Sequence, residues 1–94
     1  MAYFPTETVS KYIYFRDKDD VLFDPDTYPV AIYEPDGSAV SSPPTLSPIS
    51  TGKYELNWNV PADADRGDWV IEISATITAG SYKGIEKFII EVEL

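Results

Sequence analysis

The sequence predicts an all-β fold, a small antiparallel β-sandwich, and three observations carry that expectation. Residues 52 to 60, Gly-Lys-Tyr-Glu-Leu-Asn-Trp-Asn-Val, alternate polar and apolar throughout. Tyr54, Leu56, Trp58 and Val60 fall on one side, and Lys53, Glu55, Asn57 and Asn59 on the other. Residues 68 to 78 repeat the rhythm, with Trp69, Ile71, Ile73, Ala75 and Ile77 opposite Glu72, Ser74, Thr76 and Thr78. Successive side chains of a strand point to opposite faces, so a period of two means one face buried and one wet. Parallel strands covered on both faces read as continuous apolar runs, which makes antiparallel pairing the expectation here. Finally, no segment keeps a helical period over the ~11–18 residues that such a test needs.

The elements follow in order. Pro5 and Thr6-Glu7-Thr8 make an extended lead-in. Val9 to Arg16 is rich in β-branched and aromatic residues and reads as a strand, with Val9, Ile13 and Phe15 on one face and Lys11 discordant among them. Tyr12 and Tyr14 point the other way, and two rings there predict that their face is partly covered. Asp17-Lys-Asp-Asp20 is a turn, because Asp bonds its own backbone and tolerates left-handed conformations. Val21–Phe23 reads as a short strand, and Asp24-Pro25-Asp26 as a breaker. Tyr28 to Glu34 is a strand whose Pro29 cannot donate to a ladder and so sits at an edge or outside the pairing. Glu34-Pro-Asp-Gly37 combines a residue that presets φ with one that accepts positive φ, a specific turn signal. Residues 41 to 51 are irregular, and their three prolines exclude a central strand. Pro61 to Gly67 is an acidic connector, Ala79-Gly80-Ser81 a turn, and Tyr82 to Leu94 the closing strand. In that last strand Phe88, Ile90, Val92 and Leu94 face inward, while Ile89 is apolar and outward. Six or seven short strands at ~8–12-residue spacing predict two sheets packed face to face.

At 94 residues the chain makes one domain, residues 1–94. A chain this short buries about 60–65% of its unfolded surface, so its core must be dense. Aromatic residues at 14% can supply that density. The sequence holds no Cys and no His. Disulfides, thiol nucleophiles and thiolate metal sites are therefore excluded, together with the usual zinc sites and the usual general base. Sixteen acidic residues against seven basic ones give a net charge of −9. Such a surface repels phosphate backbones and anionic membranes and favours solubility, so no nucleic-acid partner is expected. No apolar run reaches the ~20 residues of a membrane span, and no membrane insertion is expected. The first residues lack the basic and apolar regions of a signal peptide, so a virion or cytoplasmic assembly is expected over a secreted one.

The order of signals resembles a known family. The residues that carry the likeness are Phe15-Arg-Asp-Lys-Asp-Asp20, Ile32-Tyr-Glu-Pro-Asp-Gly37, Gly52-Lys-Tyr-Glu-Leu-Asn-Trp58, Val60-Pro-Ala-Asp-Ala-Asp-Arg-Gly-Asp-Trp69 and the strand opening at Lys83-Gly84. Over nearly the whole chain the sequence is similar to immunoglobulin-like β-sandwich domains of the macroglobulin or bacterial surface-protein type. The resemblance implies about seven strands. It also implies a life in tandem arrays of extracellular chains or as a component of viral heads and tails; a chain opening on its own Met favours a separately encoded subunit.

Candidate sites are few, and each has a plain structural reading beside it. Asp17, Asp19, Asp20, Asp24 and Asp26 cluster if the first two turns meet, and Asp63, Asp65 and Asp68 have a ligand-like spacing. Either group offers carboxylates to calcium, which takes about 6–8 oxygen ligands. Turn chemistry explains the same residues without metal, and no full EF-hand loop is present. Arg66-Gly67-Asp68 is an integrin-type tripeptide, read more simply as a turn Gly ahead of Trp69. Tyr and Trp suit both interfaces and sugar-stacking platforms, but Trp58 and Trp69 lie in inward sets. Outward Tyr12, Tyr14, Tyr33 and Ile89 are the candidate contact face. Paired carboxylates can hydrolyse glycosides, yet no apolar-flanked Glu or cleft is indicated, and no catalytic residue is assigned. The expectation is a non-catalytic structural or assembly subunit that meets a protein partner or its own copies, without a required cofactor. A calcium-dependent or carbohydrate-binding module is the second reading.

Overall fold

The computed structural model describes residues 2–77 and 82–93, with 82–86 described by their backbone alone. Among them seven strands follow in chain order: β1 Ala2–Tyr3, β2 Thr8–Tyr14, β3 Val30–Tyr33, β4 Ser47–Ser50, β5 Lys53–Asn59, β6 Gly67–Ile77 and β7 Tyr82–Val92. They form a four-stranded sheet in the order β1-β7-β6-β3 and a three-stranded sheet in the order β2-β5-β4. All pairs are antiparallel except β1 with β7.

The two alternating runs behave as their period requires. Tyr54, Leu56, Trp58 and Val60 are buried from one sheet, and Trp69, Ile71, Ile73 and Ala75 from the other. Val9, Ile13, Val30, Ile32, Ile90 and Val92 complete the layer between them. The indoles of Trp58 and Trp69 meet across the sheets with ring centroids 5.5 Å apart at 47°. A second aromatic group closes one end: Phe15 packs edge-on against Tyr54 at 5.2 Å, and Tyr28 lies 4.7 Å from Tyr54. Fully burying one such side chain contributes about 1.5–3 kcal/mol. No polar or charged residue is buried among the described residues.

Several expectations need correction. Ahead of the lead-in, Ala2–Tyr3 forms an unexpected strand β1, whose parallel register pairs Ala2 with Glu91 and Tyr3 with Val92. Residues 21 to 23 form no strand; Leu22 makes only an isolated bridge to Arg16, because the arm ends at the Pro25 breaker. The irregular segment is shorter than expected, since Ser47–Ser50 joins as an edge strand with a bulge between Pro48 and Ser50. Edge position and bulge are the two places where a strand tolerates proline. Ile77 and Phe88, expected inward, are half-buried. The expected turn at 79–81 and inward Leu94 lie outside the described residues.

The turns follow their chemistry. Asp20 adopts φ +64° in the Asp-rich turn, where Asp17 Oδ1 accepts from the N–H groups of Asp19 and Val21. Gly37 takes φ +93° and donates to the Glu34 carbonyl, while Asp36 Oδ1 accepts from Ser38 N–H. That bond, with help from the Ser38 side chain, holds the exposed Asp36 carboxyl below its ordinary value.

Candidate functional site

Strand pairing decides which outward residues share a surface. Tyr12 and Tyr14 project from β2 on the outer side of the three-stranded sheet, opposite Glu55 and Lys53 of β5. They stay 53% and 47% exposed, with cations of the same chain lying over both rings. Lys53 Nζ sits 4.4 Å from the Tyr12 centroid and 5.9 Å from that of Tyr14. The Arg16 guanidinium lies 5.8 Å from Tyr14. The rest of this face is a polar ladder, with Thr8 Oγ1 donating to Asn59 Oδ1 at 2.5 Å and Ser10 Oγ to Asn57 Oδ1 at 2.6 Å.

Tyr33 and Ile89 belong to the other layer. Tyr33 registers with Val70, and Val70 with Ile89, so the three form one apolar row across β3, β6 and β7. Ile89 is 65% exposed. On one side of the row Asp68 faces Glu91; on the other Glu72 faces Lys87, whose Nζ lies 3.5 Å from Glu72 Oε2. The four residues expected to share a contact face thus divide into two pairs on opposite sides of the sandwich. Val70 was not among the candidates. Its apolar side chain next to inward Trp69 already places it outward, which is the signal that finds it.

The acidic candidates are dispersed. Asp17, Asp19 and Asp20 sit in one exposed turn, where Lys18 approaches Asp19 at 3.9 Å and Arg16 approaches Asp20 at 3.7 Å. Asp24 turns away from them: its Oδ1 accepts from Gly52 N–H at 2.8 Å and from the Tyr54 hydroxyl at 3.1 Å. Desolvation, aided by the Asp24 carboxylate, pushes Tyr54 up to about 12. The backbone N–H of Asp26 donates to the Thr76 carbonyl. Asp63 and Asp65 are exposed in the connector, and the Asp65 carbonyl accepts from Trp69 Nε1 at 2.9 Å. Among the described residues no group of three or more acidic side chains is placed to hold a metal. In the Arg66-Gly67-Asp68 run, Gly67 opens β6 at φ +135° and a side chain there would meet the Pro35 ring at 3.1 Å.

Lys11, discordant in its strand, is exposed, with Nζ 4.1 Å from the Phe88 ring centroid. An open cleft of about 370 Å³ is lined by Arg16, Asp17, Lys18, Phe23 and Ile77. Among the described residues no helix is long and apolar enough to cross a membrane.

Two sheets of this strand order, closed over one aromatic core, make an immunoglobulin-like β-sandwich. The solved structure of the Lin-41 filamin domain is similar over 96% of this chain and 80% of that one, with a TM-score of 0.62 and 19% identity. No family model and no curated protein matches the sequence.

Proposed function

We propose that this chain is a non-catalytic structural or assembly subunit that works through protein–protein contact, as a component of a virion head or tail or of a cell surface. The observation that carries the reading is the pair of outward rows, Tyr12–Tyr14 on one face and Tyr33–Val70–Ile89 on the other. The core is already complete without them, so their exposure is not needed for folding. Exposed aromatic and aliphatic groups rimmed by polar ones are the usual composition of contact surfaces. The carboxylates of Asp17, Asp24 and Asp36 are engaged with backbone N–H groups, which fits a role in turn structure better than one in acid–base chemistry. The likeness to a filamin domain supports the fold of such a module and not a particular partner.

Fractionation of assemblies from the source of the chain tests the reading. The chain is expected to sediment with a larger assembly, and a Tyr12→Thr/Tyr14→Thr/Ile89→Lys variant is expected to be recovered free. Recovery of the unaltered chain only as free protein overturns the proposal.

A further inference from the structure

We infer that the two outer faces are complementary to each other, so that copies of this chain stack head to tail, tyrosine face on isoleucine face. The inference rests on the protein-contact role proposed above and names the partner as a second copy.

Charge and shape both point that way. On the tyrosine face Lys53 forms no ion pair among the described residues; its ammonium is held only by the Tyr12 and Tyr14 rings. On the isoleucine face the neighbouring carboxylates of Asp68 and Glu91 likewise have no cation among the described residues, since Lys87 is taken by Glu72. One face therefore offers the uncommitted Lys53 beside two exposed rings, with Glu55 opposite Tyr12 on the same face. The other offers two uncommitted carboxylates beside an exposed aliphatic row. Bringing them together places Ile89 and Val70 on the rings and Lys53 toward Asp68 and Glu91. Pairing the isoleucine face with itself sets Asp68 and Glu91 against their own copies, which costs association energy. In a protein of net charge −9, turning the isoleucine face toward Lys53 avoids acid-on-acid contact at Asp68 and Glu91.

Size permits it. The molecule's two larger dimensions are 43 and 23 Å, enough for the ~800 Å² per partner that a stable contact buries. The faces belong to opposite layers of one sandwich and point away from each other. A contact between unlike patches that point apart extends into an open row instead of closing into a ring.

Sedimentation velocity tests this with two folded variants that each disable one face. Tyr12→Thr/Tyr14→Thr removes the rings while keeping β-forming residues, and Ile89→Lys places a cation opposite Lys53. Between about 5 and 500 µM, the range where a modest interface of this kind is populated, the unaltered chain is expected to form dimers and longer species. Each variant alone is expected to stay monomeric, and an equimolar mixture to form dimers and stop there, because each partner keeps one working face. Tyr12→Phe/Tyr14→Phe is expected to retain association, which separates loss of the rings from loss of fold. A monomeric parent chain, a single variant that still dimerises, or a mixture that stays monomeric each overturns the inference. A parent chain that is monomeric alone but still joins a larger assembly from its source refutes stacking and leaves the subunit role standing.

Discussion

The Tyr54 hydroxyl donates to Asp24 across 3.1 Å, and the same carboxylate oxygen accepts the N–H of Gly52. Two segments distant in sequence meet at that oxygen: the breaker after the Asp-rich arm, and the β4–β5 turn running into β5. Tyr54 is pushed from its ordinary 10.0 up to about 12, chiefly by burial and then by the negative partner. A phenol whose folded value is raised stays protonated in the folded chain while the unfolded chain ionises. Stability from this source is therefore whole below pH 10 and falls as pH climbs from 10 toward 12. Denaturant midpoints across that window are expected to fall less steeply for Tyr54→Phe than for the parent chain.

Asp24→Ala is expected to lower stability by about 1–2 kcal/mol, since it leaves the Gly52 N–H and the Tyr54 hydroxyl without their acceptor. Chemical denaturation at neutral pH gives the value. A change below a few tenths would mean that water replaces the carboxylate at no cost.

Gly52→Ala is expected to cost about 2–4 kcal/mol, for two independent reasons. Its φ of +70° disfavours any side chain, and an added Cβ would lie 2.8 Å from Leu22 Cβ and 2.9 Å from the Phe23 nitrogen. Gly37→Ala, with a similar φ but open space around it, is expected to cost only the conformational part, about 1 kcal/mol. The difference between the two melting curves isolates the steric contribution.

Trp69→Phe is expected to lose about 1–3 kcal/mol by leaving a void beside Trp58 and freeing the Asp65 carbonyl. Native fluorescence of the parent chain should be that of dry indoles, because Trp69 is 1% and Trp58 7% exposed.

Asp17→Ala is expected to cost about 1 kcal/mol by releasing the N–H groups of Asp19 and Val21. Millimolar calcium is expected to leave the melting temperature of the parent chain unchanged. A ligand bound only by the folded form must raise it, so an upward shift would return the acidic turns to the metal reading.

The inward sets of β5 and β6 were legible because a half-buried strand imposes strict alternation along its length, whereas a helix spaces its apolar residues by three and four. The Asp-rich and Pro-Asp-Gly turns were legible for a local reason: Asp20 and Gly37 carry their own conformational preference. Strand β1 was not legible, since two residues in parallel pairing with the far end of the chain leave no periodic trace. Strand β4 was hidden by Pro48, which reads as a breaker until the bulge and the edge position are seen. The contact residues were found by phase, yet phase says only that a side chain points away from the core. Which layer it points from depends on long-range pairing. Tyr12 and Tyr33 therefore looked like neighbours in the sequence and lie on opposite sides of the molecule.

One small feature bears on how this protein survives crowding. Beyond β3 the chain folds back after Gly37, so that Tyr33 bridges Ala39 and the Val40 N–H reaches the Ile32 carbonyl at 2.8 Å. The border of the larger sheet is thereby capped by the molecule's own backbone. A stray extended peptide must first peel residues 39 and 40 away before it can zip on, so runaway fibril growth at this border meets a built-in gatekeeper.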